Sequence, residues 1–227
     1  MSQVQTIVLV HGFWTDASSY SEIILALLAE GYEVIAVQNP LTSLADDVAA
    51  TKRALARIKG SCILVGHSWG GMVITEAGND ERVSGLVYIA ALAPDAGESM
   101  MDLLSQYEAP SASQHFQEQD GFIWISKEGI QRTFADDLSL EQSALIYATQ
   151  TAPSTALLTA KVESPAWKNK PSWYIVASND QAVSPDFQRD TAKRIGATTV
   201  VVESSHVAMM SHAKEVLDVI RAAAASN

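Results

Sequence analysis

Cysteine is almost absent from this chain of 227 residues: Cys62 is the only one, so no internal disulfide can form. Stability must come from burial, and a chain of this length can build a sizeable core. Positive charge is scarce too. Lys and Arg number 15 against 26 Asp and Glu, a formal charge of −11 with no basic cluster. Such a surface repels phosphate backbones and anionic lipid, so neither nucleic acid nor membrane is an expected partner. No apolar run approaches the ~18 residues of a membrane-spanning helix. Met1-Ser2-Gln3-Val4-Gln5 carries no basic leader region. Together with the unpaired cysteine, which reads as a small buried hydrophobe within its apolar run, these absences suit a reducing cytoplasm. Repeats, low-complexity tracts and interdomain linkers are missing as well.

What the chain has is a regular alternation of strand-like and helix-like segments, the pattern of a parallel sheet covered on both faces. Strands are expected at Thr6–Val10, Val34–Gln38, Cys62–Val65, Val83–Ala90, Ser172–Ala177 and Thr198–Val202. Helices are expected from Asp16 to about Glu30, from a Ser43 cap to about Lys59, over Gly71–Ala77, over Pro185–Ile195 and over Ser211–Ala225. Gly31 and Gly60 stop the first two. The alternation breaks between residues 95 and 167. That stretch predicts a short strand over Gly121–Ser126 and helices near Leu140–Ala148 and Ser154–Val162. It reads as a cap inserted between core segments 1–94 and 168–227. Its methionines and aromatics suit an adaptable apolar pocket wall, and most of them also serve the cap's own packing.

The densest chemical signal is Cys62-Ile63-Leu64-Val65-Gly66-His67-Ser68-Trp69-Gly70-Gly71. A buried strand runs straight into Gly-x-Ser-x-Gly and then a helix, the context a nucleophile elbow requires. Ser68 is thus the candidate nucleophile, and a serine needs a base, which in turn needs an orienting carboxylate. Among five histidines, His206 lies in the loop after the last strand, on the sheet edge where Ser68 emerges. His11 and His67 belong to packed turns, His115 to the cap, and His212, the weaker rival, to a helix start. Asp180, in the loop after Ser172–Ala177, is the candidate acid, and the order Ser68…Asp180…His206 fits. Asp95 leaves a strand at the same edge and remains its rival; Asp186 and Asp190 read as helix charges. The backbone N–H groups of Phe13 and Trp69 are the expected oxyanion donors. Gly12, Trp14, Trp124 and Val207, with the side chains of Phe13 and Trp69, are candidates for a substrate pocket.

His11-Gly12-Phe13-Trp14, Gly66 to Gly71, the Asp180 loop and Ser205-His206-Val207-Ala208-Met209-Met210 together resemble the α/β-hydrolase superfamily over essentially the whole chain. The stretch from Asp180 to Arg189 and the run after His206 resemble its small esterase and hydroxynitrile-lyase branch, which includes plant methyl esterases and bacterial carboxylesterases. The resemblance implies the α/β-hydrolase fold with the first two sheet strands missing, hence about six mainly parallel strands. It also implies a mixed cap over a buried apolar pocket, with no cofactor and no metal. The lyases of that branch carry threonine where Gly12 stands and lysine where Val207 stands, so the balance favours a serine hydrolase cleaving small apolar or aryl carboxylic esters. A nucleophilic serine also departs from the dehalogenases and epoxide hydrolases, which use aspartate there. The implied partner is a small-molecule ester, for a monomer or homodimer. Lyase, lactonase, perhydrolase and acyltransferase chemistry on the same triad stay open, as does a non-catalytic small-molecule receptor.

Overall fold

Short apolar runs bounded by turn residues become the strands of one sheet in the computed structural model, which describes residues 5–226. The strands are β1 (Thr6–Val10), β2 (Glu33–Val37), β3 (Cys62–His67), β4 (Val83–Ile89), β5 (Phe116–Gln119), β6 (Phe122–Ile125), β7 (Ser172–Ala177) and β8 (Thr198–Val202). Six of them pair in parallel in the order β2-β1-β3-β4-β7-β8, while β5 and β6 form a separate antiparallel ribbon. Every residue of β1, β3 and β7 is buried, as strands covered on both faces must be. Cys62 opens β3 and is fully buried. The stretch 1–4, read above for a leader, lies outside the described residues.

The helices are α1 (Ser21–Ala29), α2 (Leu44–Leu55), α3 (Gly70–Ala77), α4 (Met100–Leu104), α5 (Lys127–Gly129), α6 (Leu140–Thr149), α7 (Pro185–Arg194), α8 (Ala208–Ser211) and α9 (Ala213–Ala225). α1 and α9 pack together on one sheet face, and α2 and α3 on the other. Right-handed crossovers require this division, because the chain runs one way from β1 and the opposite way from β3.

Some elements differ from the sequence expectation for local reasons. The helix expected from Asp16 begins as a 3-10 turn over Ala17–Tyr20, capped by the Asp16 carboxylate, before α1. α2 ends at Leu55, because Arg57 and Ile58 tighten into bonds to Ala54 and Leu55 three residues back. The last expected helix breaks at His212, whose φ −129° and ψ 44° separate α8 from α9.

Residues 95–167 lie between β4 and β7, which are neighbours in the sheet, and give no strand to it. The segment is fastened back to the sheet's loops. Trp14 N–H donates to Thr151 O at 3.1 Å, Ser154 N–H to Leu41 O at 2.8 Å, and the Trp167 indole to Pro94 O at 2.7 Å.

Candidate active site

β1 and β3 are adjacent, but their chains leave in opposite directions, to β2 and to β4. Such a switch point opens a crevice at the carboxyl edge of a parallel sheet. The two loops facing across it are His11–Trp14 and His67–Gly70. They pack so closely that a Cβ on Gly12 would stand 2.7 Å from the Ser68 Cβ and 2.9 Å from the His67 carbonyl oxygen. Glycine is the residue this approach admits.

Ser68 itself carries φ +53°, a left-handed conformation that costs a non-glycine residue on the order of 1 kcal/mol. Its neighbours over-determine the turn. Ser68 N–H donates to Ile89 O at 3.0 Å, and its carbonyl accepts from Gly71 at 2.9 Å and Leu92 at 3.2 Å. The hydroxyl is thereby carried to the mouth of the crevice. Among the described residues, the N–H groups of Phe13 and Trp69 donate to no protein acceptor.

The β7 and β8 loops bring Asp180 and His206 together. His206 Nδ1 lies 2.6 Å from Asp180 Oδ2, with both side chains essentially without solvent contact. Asp180 is fixed from every side. Its Oδ1 accepts from the N–H groups of Ala182 at 2.7 Å and Val183 at 2.9 Å, and its Oδ2 also accepts from Gln188 Nε2 at 2.7 Å. Gln188, fully buried on α7, completes the brace by accepting from Ala177 N–H at 2.9 Å. The His206 backbone carbonyl accepts from His67 Nε2 at 2.9 Å. Burial, then repulsion from His206, holds the His67 pKa well below the ordinary imidazole value, so His67 is a neutral donor. With Nδ1 turned to Asp180, His206 presents Nε2 as its remaining base.

Ser68 and His206 line one chamber of about 180 Å³ with walls of Met100, Leu104, Phe116, Ile123, Leu158 and Val183. None of these wall residues is charged. A larger groove of about 530 Å³ between α2 and residues 160–163 is open and holds no nucleophile beside a base.

Other candidates fall elsewhere. Asp95 pairs with Lys168 at the surface, Asp186 with Arg189 at 3.0 Å, and Asp190 accepts from the Tyr107 hydroxyl at 2.8 Å. His212 lies 4.0 Å from Asp137, and His115 stands beside Ser126 in the insertion. Phe13 and Trp14 are part of the chamber wall, Trp14 pinned by its indole to Ile123 O at 2.8 Å. Trp124 is not. Strand alternation turns Ile123 toward the chamber and leaves Trp124 41% exposed on the opposite face. Val207 is fully buried behind His206, Gly12 packs beneath Ser68, and the Trp69 indole points into the core, so none of the three is chamber wall. His67 is the packed, hydrogen-bonding turn histidine expected of its motif, whereas the brace from Gln188 was not anticipated, though Gln188 lies within the stretch from Asp180 to Arg189.

A model of the alpha/beta hydrolase family matches residues 7–219. An alpha/beta hydrolase of Aspergillus novofumigatus (strain IBT 16806) is 25% identical over 240 residues, covering 96% of each chain. A carbendazim hydrolyzing esterase of Nocardioides sp. (strain SG-4G) is 31% identical over 123 residues, 48% of this chain and 51% of that one. The crystal structure of polyneuridine aldehyde esterase superposes with a TM-score of 0.82 at 21% identity, covering 96% of this chain and 98% of that one.

Proposed function

The chain belongs to the alpha/beta hydrolase family, and from that premise we propose that it is a serine esterase acting on small, uncharged carboxylic esters through Ser68, His206 and Asp180. One observation carries the reading: His206, paired with Asp180 at 2.6 Å, lines a largely apolar chamber together with a serine held at φ +53°. Hydrolase and esterase relatives support the same class of activity.

Each group then has a defined task. Ser68 Oγ attacks the ester carbonyl carbon as its proton passes to His206 Nε2. Asp180 holds the Nδ1–H tautomer and stabilises the imidazolium that forms. The carbonyl oxygen becomes an oxyanion facing the unused N–H groups of Phe13 and Trp69. Collapse expels the alcohol, which takes the proton from His206, and leaves an acyl group on Ser68. A water then gives its proton to His206, attacks the acyl carbon and releases the acid, returning the proton to Ser68. The wall residues carry no charge to seat an ionic substrate. Nor does the residue after His206, the buried Val207, offer a cation to receive a departing cyanide. Ester hydrolysis therefore fits better than cyanohydrin cleavage.

Hydrolysis of p-nitrophenyl esters from acetate to octanoate tests this. The wild type should turn over the short esters, and Ser68→Ala should lose at least about 10³-fold in kcat while staying folded. A folded wild type with no turnover would sink the esterase reading and move attention to ligand binding without chemistry.

A further inference from the structure

Asp47 is a buried carboxyl that the proposed chemistry leaves unused. It lies in the first half of α2, is fully buried, and among the described residues has no cationic partner. Both of its oxygens are nevertheless engaged. Oδ1 accepts from Leu41 N–H at 2.8 Å, and Oδ2 accepts from the Trp69 indole Nε1–H at 2.8 Å. A carboxylate hidden from water without a counter-charge is costly, and an amide would turn one of the two accepting oxygens into an NH2 donor facing an N–H group. The position therefore demands the carboxylate itself.

Its contacts lead to the oxyanion donors. Trp69 carries one proposed donor in its backbone, and its ring stacks on Phe13, which carries the other, with centroids 5.1 Å apart and planes 22° apart. The same loop after β2 also grips the first donor segment. Asn39 N–H donates to His11 Nε2 at 2.9 Å and Asn39 Nδ2 to His11 O at 2.8 Å. Burial pushes the Asp47 carboxyl up to about 6, with the two donors pulling against it.

We propose that Asp47 is a positioning residue: by anchoring the Trp69 indole, and through it the stacked Phe13, it sets the geometry of the oxyanion hole. The inference rests on the serine-esterase reading. It does not make Asp47 part of the reacting set, because it touches neither Ser68 nor the chamber.

The experiment compares wild type, Asp47→Asn, Trp69→Phe and the double variant on p-nitrophenyl butyrate. Alongside, it measures inhibition by a trifluoromethyl ketone and by the matching methyl ketone. The trifluoromethyl ketone forms an oxyanion adduct on the serine; the methyl ketone reports only occupancy of the chamber. Each single variant should lose about 10- to 100-fold in kcat with KM within about twofold. Trifluoromethyl ketone affinity should fall in proportion while methyl ketone affinity stays. The double variant should be no worse than either single, since both remove the same contact. A kcat near wild type in Asp47→Asn, equal losses for both ketones, or additive losses would overturn the proposal. Should Asp47→Asn fail to fold, Trp69→Phe removes the same hydrogen bond and its two-ketone comparison decides. Fluorophosphonate labelling of wild-type Ser68 separates the two levels. An unlabelled, inactive wild type removes the esterase reading and this inference with it, whereas a labelled wild type with unaffected variants removes the inference alone.

Discussion

Asp47 also has a thermodynamic signature. Its carboxyl is raised from 3.8 to about 6 in the fold, so the native chain holds that proton more tightly than the unfolded chain does. The stabilising contribution is complete below about 3.8, declines between there and about 6, and is gone above. Two pKa units correspond to about 3 kcal/mol. The urea stability of Asp47→Asn relative to wild type should therefore rise by about 2–3 kcal/mol from pH 4 to pH 7 and then level off. A difference that stays flat across that range would mean the carboxylate is not buried in charged form. Single residues divide sharply in how far the chain alone reveals them. Ser68, Asp180 and His206 each follow a strand, and parallel strands share one carboxyl edge, so their meeting is a consequence of alternation plus the Gly-rich turn. The residues that hold them are silent in sequence. Asp47 meets Trp69 across 22 positions and His67 meets the His206 carbonyl across 139, pairings that only packing selects. Trp124 misled for a simpler reason, because one step along a strand reverses the face.

Elements with strong apolar runs were legible, and those shaped by their neighbours were not. β5, Phe-Gln-Glu-Gln, is exposed at every position and has no alternation to read; it exists by pairing with β6. The helix expected over Ser154–Val162 shrinks to a 3-10 turn over Thr155–Thr159 because both ends are claimed by extended pairing. Ser154 bridges Phe122, and Lys161 bridges Ser99. This turn matters for specificity, since it carries Leu158 into the chamber wall. Leu158→Ala should enlarge that wall and move the preferred acyl chain about two carbons longer in the p-nitrophenyl series, each buried methylene contributing about 0.8 kcal/mol. An unchanged chain-length profile would place the acyl group elsewhere. The edge strand β8 exposes Thr198 to Val201; its valines came from the sequence as strand residues, but not as surface.

Across the whole molecule, the charge of −11 acts on the approach of a substrate rather than on its seating, because the chamber wall is neutral. An anionic ester should be hydrolysed at least about tenfold more slowly, in kcat/KM, than its neutral isostere at low ionic strength. Raising salt should recover the part due to long-range repulsion and leave the part due to desolvation in the chamber. No change with salt would assign the whole penalty to the pocket. The six parallel strands followed from alternation and the break in alternation marked residues 95–167, while the strand order and the pairings inside that segment, which obey no long repeat, are set by packing. Finally, the lone thiol at the start of β3 is fully buried, and burial pushes it up to about 12. A thiol so concealed can meet a soluble disulfide reagent only when the sheet's centre opens. The protein thus contains its own clock for global opening: the rate at which one equivalent of sulfhydryl becomes titratable, read without a label, a mutation or a denaturant.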